Sequence, residues 1–185
     1  MKKFFLLVSL ISGLSTFSFA QDDNDDTHVM TIKIAEHSLL DIEATGMKTI
    51  TQEFDKPTEA GFGLKDPAAN STIWLNNSSV VSTGETRTIK VKASAVVPGV
   101  NIEVTAANAS ITGNNSAGTP GVGSKVATLS TADQDLITGI GSVYTGNGPN
   151  SGSNITYKLS TPNANYGNIV AATTNITITY TITNN

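Results

Sequence analysis

From residue 28 onward, apolar and polar residues alternate with a period of two, the pattern of strands with one buried face. Met30, Ile32 and Ile34 share one face and Val29, Thr31 and Lys33 the other, which predicts a strand over residues 28–34. Leu39, Leu40 and Ile42 predict a second strand before a turn at Gly46. Ile50 and Phe54, alternating with Thr49, Thr51 and Glu53, predict a third. A loop with Pro57, Gly61, Gly63 and Pro67 leads into a strand over 71–75 that carries the single tryptophan, Trp74.

Residues 86–93 set Ile89, Val91 and Ala93 against Thr88, Lys90 and Lys92, and residues 100–106 turn Ile102 and Val104 inward. Between them stands Val97-Pro98-Gly99-Val100. Proline sets φ at the first central position of a turn and glycine supplies positive φ at the second, the signature of type II. Residues 86–106 are therefore read as two antiparallel strands joined by that turn. Shorter strands are expected over 125–130, 136–140 and 155–159. A final one over 174–183 aligns Ile176, Ile178, Tyr180 and Ile182 opposite Thr177, Thr179, Thr181 and Thr183. Poor helix formers dominate throughout, so no long helix is expected. About eight to ten short strands divided by turn signals predict an all-β fold. The expected architecture is a single antiparallel β-sandwich, immunoglobulin-like or fimbrial-like, with a barrel as the alternative.

The segment before this pattern changes the picture. Lys2 and Lys3 precede an apolar run from Phe4 to Ile11, and the small residues Ser18 and Ala20 follow at the positions read by a signal peptidase. Residues 1–20 are read as a cleaved secretory signal, the apolar core being too short for a membrane anchor. Export would place the chain in the periplasm, at the cell surface or outside the cell. The leader at 21–27, QDDNDDT, has nothing to bury and is expected to be disordered. Its four aspartates could attract Ca²⁺, but it lacks the glycine and distal glutamate of a Ca²⁺ loop. The remaining domain, 28–185, contains no cysteine, so its stability must come from packing alone.

Charge and motifs exclude more than they suggest. The net charge of −4 and the single arginine, Arg87, argue against nucleic acid, which requires clustered cations. No membrane span is expected after signal removal. His28 and His37 lack the spacing of a shared metal site, and Ser142 lacks the flanking glycines of a nucleophile elbow. The carboxylate pairs Asp41/Glu43 and Glu53/Asp55 are expected on solvent-facing sides of strands. No catalytic residue, metal or cofactor is assigned, and the chain is read as non-enzymatic. The aromatic residues that could contact a ligand are Tyr144, Trp74 and Tyr166. Trp74 also has the plainer reading of a core plug, whereas Tyr144, set among glycines, is the best single candidate.

Three stretches carry a resemblance: the signal ending at Ala20-Gln21, the central SITGN and ITGIGSVYTGNGPNSGSNITYKLS, and the closing NITITYTITNN. Together they are similar to small secreted proteins of Bacteroidota. The final alternating strand also resembles the last strand of fimbrial subunits and of WxL-type surface domains. The chain departs from both, with Trp74-Leu75 lacking the W-x-L spacing and no cysteine available for a disulfide. No functional residue carries over. The leading expectation is a structural or adhesive protein of the cell envelope or exterior. If it joins copies of itself or other envelope proteins, residues 29–34 and 176–182 are the candidate edge strands. The plainer reading is that both pair within their own sheets. The alternative function is a glycan- or peptide-binding module using the loops at 110–124 and 145–154.

Overall fold

The computed structural model describes residues 24–111 and 115–184. The signal reading of residues 1–20 lies outside them. Clustering of contacts separates residues up to Lys33 from a unit running from Ile34. Residues 24–33 form no helix or strand, and every one of them is exposed.

Eleven strands are present among the described residues, in two antiparallel sheets packed face to face with no closed barrel. In chain order they are β1 (His37–Ala44), β2 (Asn70–Val80), β3 (Arg87–Ala93), β4 (Asn101–Ala106), β5 (Ala117–Gly118), β6 (Val122–Gly123), β7 (Lys125–Val126), β8 (Gln134–Ile140), β9 (Val143–Tyr144), β10 (Ser153–Ser160) and β11 (Ile178–Asn184). One sheet runs β5-β9-β2-β10-β4-β7, with β1 on the free side of β2. The other runs β11-β3-β8-β6. The fold is an all-β sandwich, as the alternation predicts.

The core follows from that alternation. Leu75 of β2, Val104 of β4 and Ile155 of β10 face Ile89 and Val91 of β3 and Leu136 and Ile140 of β8, all fully buried. Ile176, Ile178, Tyr180 and Ile182 lie half-buried against this core, on the face that their spacing predicts. Two polar groupings complete it. Tyr157 of β10 and Tyr180 of β11 share a hydrogen bond between their hydroxyls, linking one sheet to the other. Arg87, buried at the start of β3, donates from Nε to Ser79 Oγ at 3.1 Å, from Nη2 to the Val80 carbonyl at 3.3 Å, and from Nη1 to Asn184 Oδ1. Its Nη2 also lies 3.6 Å from a Glu36 carboxylate oxygen.

Four expectations are corrected. The type II turn at 97–100 forms as predicted, with Gly99 at φ 78° and the Val100 N–H bonded to the Val97 carbonyl at 3.1 Å. However, β3 and β4 do not pair; they lie in different sheets. Type II turns splay the strands they join, so the chain crosses the sandwich instead of folding back as a hairpin. Residues 28–34 form no strand: alternation makes a segment fit for pairing but does not supply a neighbour. Residues 49–54 form none either. Prolines and glycines downstream leave only an isolated bridge, Asp55 with Lys65, beside a 3.7 Å ion pair of the same two residues. Trp74, finally, is not a core plug. Ile73 and Leu75 take the inward positions of β2, which turns Trp74 onto the outer face, cross-strand from Glu43 and Asn154.

Candidate functional site

The outer face of the larger sheet holds the residues with the most capacity to bind. The register of β1 on β2 aligns Leu39 with Ser78, Asp41 with Asn76 and Glu43 with Trp74. On the other side of β2, β9 aligns Tyr144 with Ser78. Tyr144 is thus carried by a strand bonded on both sides, to β2 and to β5, with its side chain outward and the residue 48% exposed. Val143, its neighbour, is buried in the core and anchors the strand.

The loop after β9 is shaped by glycine. A Cβ on Gly152, at φ 69°, would stand 2.1 Å from the Leu75 carbonyl, so only glycine lets the loop return this close to β2. The returning backbone brings the Gly148 carbonyl within 3.0 Å of Asn76 Nδ2. Thr145 is buried beside it, its Oγ1 accepting the Asn77 N–H at 2.9 Å while its own N–H donates to the Asn77 carbonyl at 3.0 Å. The result is an open groove of about 750 Å³, walled by Tyr144 and by residues of both glycine-rich loops, over a floor of β1 and β2.

Asn76 is the distinctive feature of that floor. It is only 5% exposed, and its buried Oδ1 has no hydrogen-bond partner among the described residues. Asp41 is exposed at the rim. Its Oδ1 accepts the Ile42 N–H at 2.8 Å, and Lys48 approaches it at 3.9 Å, a pairing too exposed to hold it firmly.

Of the three aromatic candidates, the structure brings only Tyr144 to this groove. Trp74 is on the same outer face but is half-buried and does not line the groove, and its Nε1 has no partner among the described residues. Tyr166 belongs to a short 3₁₀ turn, Asn163–Asn168, where its hydroxyl accepts the Leu64 N–H at 3.0 Å. It fastens the 57–68 loop and lines a separate depression with Phe62 and Asp66.

The carboxylates predicted to face solvent do not gather. Asp41 and Asp55 make exposed ion pairs with Lys48 and Lys65, and no group of three His, Asp or Glu side chains placed to hold a metal occurs among the described residues. Among those residues, no helix is long and apolar enough to cross a membrane. Sequence reasoning missed Asn76, because a strand through Asn76-Asn77-Ser78-Ser79 has no apolar alternation to reveal it. It also missed the tyrosine pair, although Tyr180 at an inward position of β11 was itself a signal, since a buried phenol requires a partner. Burial pushes both phenols above their usual pKa of 10.0, and for Tyr180 the proximity of Tyr157 adds to the effect.

No protein-family model matches the chain, and neither does any curated protein or solved structure.

Proposed function

We propose that this is an exported, non-enzymatic structural or adhesive protein of the cell envelope or its exterior, which joins other copies of itself by strand addition. One observation carries the reading. The alternating segment at 28–34 leaves Val29 94%, Met30 73%, Ile32 74% and Ile34 79% exposed, in a stretch that alternates like a strand but pairs with no strand among the described residues. Burying such side chains is worth about 1.5–3 kcal/mol each, so the segment has a strong incentive to find a cover.

Two edges offer one. Among the described strands, β1 bonds only to β2 and β11 only to β3, and the two approach one another along the same side of the sandwich. Neither contains proline, and both leave inward-facing residues half-buried, Ile42 on β1 and Ile178 and Ile182 on β11. A strand from a second copy on the β11 edge would extend the sheet and cover those residues together. The β11 edge lies within the segment expected as a connector, whereas residues 29–34 would act as the added strand.

Native mass measured on protein taken from its producing cells, without heating, is expected to show a ladder of subunit multiples. Ile32→Asp should collapse the ladder to monomer while leaving the denaturation midpoint unchanged. A clean monomer from the unaltered protein would overturn the reading.

A further inference from the structure

We propose that the groove beside Tyr144 is a binding site for a neutral carbohydrate, independent of the assembly edges. Sugar rings present an apolar face of C–H groups and a periphery of hydroxyls. A site for them therefore needs an aromatic platform with donors and acceptors beside it. Tyr144 supplies the platform on a strand held from both sides. Asp41, Ser78 and Asn147 supply the polar periphery, and Leu39 closes the far wall.

The second observation is that the floor and the loop wall are fastened together through the buried amide of Asn76. Its Nδ2 donates to the Gly148 carbonyl, which ties the loop after β9 down onto β2 and so sets Gly146 and Asn147 beside Tyr144, while its Oδ1 is enclosed against Gly152. A wall fixed before binding loses little freedom when a ligand settles against it.

Other ligand chemistries fit less well. No lysine or arginine lines the groove, and the nearby Lys48 is already set against Asp41, so a phosphorylated or acidic ligand would gain no net attraction there. A lipid chain would have to lie across Asp41, Ser78 and Asn147 and would offer them no hydrogen-bond partner of its own. An extended peptide draws affinity from main-chain bonds to an open edge, yet the β2 backbone under the groove is already bonded to β1 and β9.

The test is an amide NMR titration of the full domain with cellobiose, N,N′-diacetylchitobiose, mannobiose and galactobiose, each to about 10 mM, where weak sugar sites saturate. At least one disaccharide is expected to shift resonances of residues 39–41, 76–78 and 144–147. Tyr144→Ala and Asp41→Ala should each weaken binding about tenfold, with unchanged melting temperatures, whereas Thr179→Ala on the other sheet should have no effect. The proposal is overturned if none of the four sugars shifts these residues, if the shifts fall elsewhere, or if Tyr144→Ala binds as well as the unaltered protein.

Discussion

Replacing Arg87 by alanine is expected to lower the free energy of unfolding by about 3 kcal/mol, a large part of what a domain of this size has to lose. The guanidinium is buried between the sheets and serves acceptors on three strands or their flanks: Ser79 and Val80 on β2, Asn184 on β11, and the carboxylate of Glu36 ahead of β1. Its removal leaves the buried Ser79 hydroxyl and the half-buried Val80 carbonyl without this donor and opens space where the buried guanidinium stood, and an orphaned buried acceptor alone costs about 1–3 kcal/mol. Arg87→Lys should recover only part of the loss, because a single ammonium cannot reach acceptors spread around a planar fork. Urea denaturation of the two variants measures both effects. A loss below about 1 kcal/mol for the alanine variant would mean that solvent replaces the arginine without difficulty.

The second large effect depends on pH. Burial raises both Tyr157 and Tyr180 above 10.0, and for Tyr180 the neighbouring phenol and the shared hydrogen bond raise it further. In the unfolded chain each phenol titrates near its ordinary value, while in the folded chain both keep their protons. The stabilisation from the pair is therefore complete below pH 10 and declines as pH climbs toward the folded-state values. Each phenol contributes a slope of up to about 1.4 kcal/mol per pH unit in that window. Cooperative alkaline unfolding is expected, seen as loss of the β-sheet circular dichroism signal together with tyrosinate absorbance at 295 nm.

Variants separate the pair from general alkaline damage. A single Tyr157→Phe change leaves the Tyr180 hydroxyl without its partner and should cost about 1–2 kcal/mol at neutral pH. The double change to phenylalanine removes both polar groups. It should be nearly neutral at pH 7 and shift the alkaline midpoint upward. If the double variant unfolds at the same alkaline pH as the unaltered protein, the tyrosine pair is not what titrates.

The strands that were legible are those whose apolar residues alternate without interruption. Ile89-Val91-Ala93 and Ile178-Tyr180-Ile182 declare both their conformation and their buried face, and the sandwich follows from them. The pairing partners were not legible. The turn at Pro98-Gly99 was read correctly as a turn and incorrectly as a hairpin, because local chemistry sets the turn type while the sheet that receives the next strand is settled by the whole core. Trp74 was misplaced for a related reason. Its size suggested the interior, but the parity of β2 had already been settled by Ile73 and Leu75. The second half of β2 is a run of Asn and Ser that reads as loop. It is strand because β1 and β9 bond to it and because Arg87 and Thr145 answer the buried Ser79 hydroxyl and the Asn77 N–H. Of the candidate site, Tyr144 and the two glycine-rich loops could be found from composition. The floor beneath them could not.

The separation of β3 from its partner has a kinetic consequence. Arg87 and Asn184, bonded in the finished structure, are 97 residues apart along the chain. β3 gains no nearby hairpin from β4, and its other neighbour, β8, is also distant in sequence. Closing such loops loses chain entropy before any contact offsets it, so the smaller sheet has no cheap local nucleus. Folding of this domain accordingly falls toward the slow end for its size, in the range of about milliseconds to seconds that sandwiches with distant pairings occupy. During that interval both open edges and the apolar segment at 28–34 are available to other chains.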